Sequence, residues 1–281
     1  MRFGSGSLVS PSPLPGFGPA LGATLLWLGL LVLIPLAALV WKASGLGLAG
    51  IWEIASQPRV AAALKLSFGL SLLAAALNVV LGGIVAWVLT RYEFPGRRFL
   101  DAAVDLPFAL PTAVAGIALT ALYAPNGWIG SLFDSFGIKI AFTPIGIFIA
   151  LVFIGLPFMV RSVEPVLAEI DPEIEEASAT LGSSRLTTIV RVVLPPLVPA
   201  FITGFALAMA RAVGEYGSVV FISGNIPFVS EIAPLLIVVR LAEFDDAGAT
   251  AVATIMLTIS FCFLLVINLV QSWSRRRLGH G

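Results

Sequence analysis

The chain has 281 residues, of which 58% are hydrophobic and 11% charged, against roughly 45–50% apolar and about 25% charged in an ordinary soluble domain. A mean hydropathy of +1.02, drawn from apolar stretches along the whole sequence, excludes a disordered chain and a soluble enzyme carrying a single anchor. Sixteen Lys and Arg balance sixteen Asp and Glu, so no bulk positive charge points to nucleic acid; one Cys262 and one His280 exclude a disulfide framework and a His/Cys metal cluster.

A membrane-crossing helix needs about 20 mostly apolar residues. In chain order the sequence predicts a Pro/Gly/Ser-rich tail over 1–19, then six spans: Ala20 to Trp41, Ala62 to Thr90, Val104 to Ala124, Thr143 to Val160, Val198 to Phe221 and Ala247 to Val270. The first is longer than a secretory signal core and lacks a clear small-x-small cleavage site, which favours an uncleaved anchor. The six spans form one transmembrane domain over 20–271, followed by a basic tail over 272–281. Ten of the sixteen Lys and Arg fall on the side of the termini, five fall opposite, and Arg211 falls inside a span. The positive-inside rule therefore predicts cytoplasmic termini. Pro107, Pro111, Gly116, Gly204, Gly214 and Gly217 interrupt the spans, which predicts bent or broken helices. No internal repeat is visible, so six spans read as half of a pathway.

Between spans four and five lie about 37 residues, Arg161 to Leu197, with six of the sixteen acids. So long a loop is usually functional. Its middle reads as a short capped helix: Asp171 at the N-cap, Pro172 in the first turn, Glu173 and Glu175 near the positive end of the dipole, and Gly182 as the stop. Ile170, Ile174, Ala177 and Leu181 recur at helical spacing as a narrow apolar stripe. A helix lying on the bilayer is the competing reading, although such helices carry Lys and Arg on the polar face and this face is acidic.

Glu176-Ala177-Ser178, three residues, Gly182, nine residues, then Val192-Val193-Leu194-Pro195 resembles the EAA loop of bacterial ABC-importer permeases. The match departs from the usual pattern at Ser178 and Val192. The resemblance implies an all-α integral membrane protein of six transmembrane helices with the type I importer (MetI-like) fold, in the bacterial inner membrane. It further implies that Glu176, Ala177, Ser178, Gly182, Leu194 and Pro195 couple the chain to ATPase subunits. The implied partners are two ATP-binding cassette subunits, a second related permease subunit, an extracytoplasmic solute-binding protein and membrane lipid. ATP and Mg would reside on the ATPase, with no cofactor or metal held by this chain; consistently, the sequence has no G-x-x-x-x-G-K-[ST] phosphate loop.

Arg211-Ala212-Val213-Gly214-Glu215-Tyr216-Gly217, Gly224-Asn225-Ile226 and Arg240-Leu241-Ala242-Glu243-Phe244-Asp245 resemble sulfate and thiosulfate permeases of the CysT type. The G-E-[YF]-G element also occurs in molybdate and tungstate permeases, which is the alternative substrate reading. Arg211 and Glu215, at i and i+4, face the same way and need pairing or a polar cavity in hydrocarbon. Both a structural ion pair and a gate with positive potential for a dianion fit them, with Gly214 and Gly217 shaping the span. Pro107, Pro111 and Thr112 are candidate pathway residues, by opened backbone groups or by bending alone. Asp105, and Glu243, Asp245 and Asp246, read as acids at helix starts, the outer three also as a face for the binding protein. An ion-coupled secondary carrier using Glu215 as proton relay leaves the acidic loop unexplained. An intramembrane enzyme lacks a His-based or H-E-x-x-H site.

Overall fold

The computed structural model describes residues 17–277. The tail through residue 16, with Arg2, and residues 278–281, with His280, lie outside the described residues, which contain helices and no strands. The order is α1 Phe17–Ala55, α2 Pro58–Arg91, α3 Arg97–Val104, α4 Leu106–Ala109, α5 Thr112–Tyr123, α6 Gly130–Asp134, α7 Pro144–Glu169, α8 Pro172–Thr180, α9 Arg185–Val213, α10 Val219–Ile222, α11 Ala233–Ala242 and α12 Asp246–Arg277.

Five of these, α1, α2, α7, α9 and α12, are long and apolar enough to cross a membrane. The third predicted span is different: Val104 to Ala124 is divided among α3, α4 and α5. Pro111 is the reason, because the residue before a proline is pushed out of the helical region; Leu110 is extended at φ −84°, ψ 134°. The fifth predicted span, Val198 to Phe221, also breaks, with α9 ending at Val213 and α10 starting at Val219. Proline also explains two π-turns inside the long helices, Gly29–Leu33 and Ile189–Val193. Each ends two residues before a proline, Pro35 and Pro195. A proline cannot donate to the carbonyl four residues back and crowds it, and a widened turn relieves both problems.

The core is the bundle of α2, α7 and α9. Leu89, Met159, Val160, Val163, Leu167, Val193 and Leu197 are buried together at one end of it. Close approach depends on small residues, as in membrane bundles where lipid gives no hydrophobic push between helices. A Cβ on Gly82 of α2 would lie 2.7 Å from Met159 Cβ, and one on Gly204 of α9 would lie 3.1 Å from Met159 Cα. Both helices thus press glycine against the same α7 methionine. Asn78 is fully buried and donates from Nδ2 to the Val152 carbonyl at 3.1 Å.

The predicted loop, Arg161 to Leu197, is mostly helix. α7 continues to Glu169 and α9 begins at Arg185, which leaves residues 170–184 between them, with α8 at the centre. Charged residues ended the apolar run there without ending the helix, because a helix leaving the membrane keeps its backbone bonds and exposes its charges.

Candidate functional site

Helix α8 has strong local ends. Asp171 Oδ1 accepts from Glu173 N at 3.0 Å, satisfying one of the free donors of the first turn. At the other end Gly182 adopts φ +83°, Gly182 N donates to Ala179 O at 3.0 Å and Ser183 N to Ser178 O at 3.2 Å. This is the paired bonding of a Schellman motif, whose left-handed residue is best filled by glycine.

The helix is exposed around most of its circumference. Glu176, Ala177 and Gly182 are exposed, as are Ile174 and Leu181, the latter 87% exposed. Ile170, the first residue of the predicted stripe, instead packs against the core. Exposed apolar side chains beside a carboxylate form a surface suited to a protein partner. Leu194 and Pro195 lie on the stem of α9 and not on this surface.

The inward face carries Ser178, which is buried and bonded hydroxyl to hydroxyl with buried Thr188 at 2.9 Å. Ser178 is a departure from the usual pattern of the EAA loop, and its bond to Thr188 gives the hydroxyl a structural use. Ser178→Ala would leave the Thr188 hydroxyl without this partner, a loss of about 1–3 kcal/mol. Limited proteolysis of the 170–190 segment is expected to quicken by several-fold to tenfold in this variant, and to return towards the wild-type rate in Ser178→Ala/Thr188→Val.

Near the same end, Arg161 of α7 gathers three acids. Its Nε and Nη2 clasp Asp105 at 2.9 and 2.6 Å, and Nη1 reaches Asp101 at 2.7 Å and Glu164 at 2.6 Å. Asp105 does stand at a helix start, as the N-cap residue of α4, but its side chain makes no cap there and serves instead as an ion-pair partner across 56 residues. Asp245 does behave as a helix-start acid, accepting from Gly248 N at 2.8 Å, and also pairs with Arg240 at 2.8 Å. Asp246 lies 3.8 Å from Lys42, and Glu243 is exposed.

A second constellation forms where the two broken spans meet. Arg211, in the last turn of α9, pairs through Nη1 with Glu215. Glu215 is 2% exposed and its Oε1 also accepts from Ser218 N at 2.8 Å and Ser218 Oγ at 2.9 Å. The carboxylate thus ties the end of α9 to the start of α10 across the break. Among the described residues, Nη1 is the guanidinium nitrogen of Arg211 with a hydrogen-bond partner, and the side chain is 33% exposed. Its remaining donors stay available to a polar solute.

The α5 side of the junction fits against this break. A Cβ on Gly217 would lie 2.1 Å from Thr112 Oγ1, and one on Gly116 would lie 2.4 Å from the Ser218 carbonyl oxygen. Thr112, Gly217, Glu215 and Arg211 are therefore brought into one region. Pro111 is the N-cap of α5 and Pro107 sits in the first turn of α4, so they set the break without a polar contact in it. Gly214 has no atom within 4 Å of a built Cβ.

Three features were not legible in the sequence. Ser218 was missed although it lies three residues after Glu215, where a hydroxyl can cap a carboxylate. Arg59 holds buried Glu231 with two bonds of 2.8 and 2.7 Å across 172 residues, and Arg91 holds Glu175 at 2.7 Å; no spacing signal announces pairs so distant.

The family model described as "binding-protein-dependent transport system inner membrane component" matches residues 78–280. A protein of Synechococcus elongatus named sulfate transport system permease protein CysT is 53% identical over 91% of this chain and 92% of its own length. A Salmonella typhimurium protein of the same name is 48% identical over 95% of this chain and 97% of its own. Among solved structures, a bacterial alginate ABC transporter in complex with alginate pentasaccharide-bound periplasmic protein contains a chain superposing with a TM-score of 0.74. That chain is 17% identical, with 93% of this chain and 94% of the other covered, a likeness of fold alone.

Proposed function

The chain belongs to the family of binding-protein-dependent transport system inner membrane components, and from that premise we propose that it carries sulfate, or thiosulfate, as the permease subunit of an ATP-driven importer. It is a multi-pass membrane protein and a transport subunit. Relatives near half identity over nearly the whole chain carry the sulfate name, which favours that anion over molybdate or tungstate and over an ion-coupled carrier.

The observation that carries the mechanism is that α8 is anchored along one narrow line, by Glu175 and Ser178, and leaves the rest of its surface exposed, with Ile174, Glu176 and Leu181 on it. Two permease subunits, this chain and a related one, enclose the path; each presents such a helix to one of two ATPase subunits, which hold ATP and Mg. A solute-binding protein delivers the anion from outside, and the excess of Lys and Arg on the α8 side supports a cytoplasmic position for that side and both termini. ATP binding draws the ATPase subunits together, displaces both loop helices, and shifts the spans towards the outward-open arrangement by differential contact energy. Arg211 then offers unengaged donors and positive potential to the passing dianion, while Glu215 keeps that charge from binding it too tightly.

The test is radiolabelled sulfate uptake in source cells lacking the gene, rescued by wild type or Glu176→Lys. Wild type is expected to restore ATP-dependent uptake that a low molybdate concentration hardly reduces. Glu176→Lys is expected to insert normally and to reduce uptake at least tenfold. Normal uptake by Glu176→Lys refutes the docking role of that carboxylate, dependence on the ion gradient refutes ATP coupling, and unchanged sulfate uptake on deleting the gene refutes the substrate.

A further inference from the structure

Adjacent acids on α8 serve opposite directions. Glu176 is exposed, whereas Glu175 turns inward to Arg91, the last residue of α2. The Arg91 side chain is 14% exposed. Its Nη2 lies 2.7 Å from Glu175 Oε1 and donates to the Ile170 carbonyl at 3.0 Å, and its guanidinium stands 5.9 Å from the centre of the Trp87 ring. A lysine at a helix end would serve the dipole equally well. A planar guanidinium that donates to a carbonyl and pairs by charge with a carboxylate while lying near an aromatic ring does more than that.

The two oxygen partners sit on either side of one corner. Ile170 caps α7 with an extended backbone at ψ 114°, and Glu175 belongs to the first turns of α8. Arg91 therefore fixes the angle between α7 and α8 from a third element. That element is well founded, since Leu89, just before it, is buried with Val163, Leu167, Val193 and Leu197. Glu175 and Ser178, at i and i+3, lie on the same side of α8. Through them α8 is tied to two different long helices, α2 by Glu175 and α9 by Ser178.

We infer that Arg91 is a positioning residue for energy coupling: its ion pair with Glu175 and its hydrogen bond to Ile170 make a displacement of α8 a displacement of α2 as well as of α7 and α9. Without the tether, α8 keeps its caps and its outward surface, so an ATPase still docks on it. The helix then pivots about the residue 170 corner, and part of the displacement is lost before it reaches the spans. The inference rests on the coupling role proposed above for α8.

The complete importer, reconstituted in proteoliposomes with its ATPase subunits, second permease subunit and binding protein, tests this by uptake and ATP hydrolysis measured in the same vesicles. Arg91→Gln and Glu175→Gln are each expected to leave ATP hydrolysis within about twofold of wild type and to lower sulfate uptake per ATP roughly tenfold. Arg91→Gln/Glu175→Gln is expected to be no worse than the worse single variant, since both remove one interaction. Unchanged uptake per ATP in the single variants overturns the inference, as does full additivity in the double. If a glutamine variant fails to assemble, Arg91→Lys decides: it keeps the charge and loses the planar two-sided contact, and unchanged uptake per ATP overturns the inference. Wild-type vesicles that hydrolyse ATP without importing sulfate would refute the substrate reading and leave the tether to be read from coupling with the anion that is imported.

Discussion

Replacing Glu215 by leucine is expected to give a poorly folded protein with no measurable transport. The carboxylate is buried and satisfies Arg211, the Ser218 amide and the Ser218 hydroxyl at once, so its loss leaves a guanidinium and two donors without their acceptor. Breaking one side of a buried ion pair costs about 3–5 kcal/mol, a large share of the roughly 5–15 kcal/mol by which a typical domain is stable. Removing both charges relieves the charge mismatch and leaves only the Ser218 amide and hydroxyl without their acceptor. Arg211→Leu/Glu215→Leu is therefore expected to recover much of the thermal stability in detergent while transport stays absent, because the positive potential at the junction is gone. Arg211→Gln, whose amide can still donate to Glu215, is expected to fold and to lose transport. Transport by the double variant, or by Arg211→Gln, would reduce the pair to a structural lock; melting temperature and uptake measured on the same preparations separate the two outcomes.

The second large effect is expected at a glycine chosen by contact and not by motif. Gly116→Ala places a methyl group 2.4 Å from the Ser218 carbonyl oxygen and 2.7 Å from its Cα, distances that only a backbone shift can relieve. Overpacking of this kind costs about 1–3 kcal/mol or more, and here it falls on the seam between the two broken helices. Uptake at least tenfold below wild type is expected. Gly214→Ala provides the contrast, since nothing stands within 4 Å of its built Cβ and its φ of −89° suits alanine. That variant is expected to transport within about twofold of wild type. Equal uptake by the two variants would show that the tight seam between α5 and the 214–218 break does not matter for passage.

Much of the loop site was readable because its chemistry is local. Asp171, Pro172 and Gly182 announce where α8 starts and stops through backbone groups at most a few residues away, and the structure forms those bonds. The face that α8 would turn inward was not readable. Ile174 and Leu181 belong to the narrow apolar stripe and both are exposed, whereas Ser178 and Glu175 take the inner side. Hydrophobic periodicity reports that one face is apolar, not whether the chain itself or another protein covers it.

The same division holds for the spans. Composition and run length determined that this is a helical membrane protein, because a bilayer requires about 20 apolar residues whose backbone groups are bonded within the helix. Proline and glycine positions marked where breaks were to be expected. Only the tertiary structure decided that the break at Leu110–Pro111 and the break at 214–218 meet, with Gly116 against Ser218 and Gly217 against Thr112. It alone joined Arg161 to Asp105, Arg59 to Glu231 and Arg91 to Glu175. A charge in a sequence states that it needs a partner; which partner it obtains depends on the packing of helices far apart in the chain, and that packing is set by the sum of many weak contacts that no single spacing records.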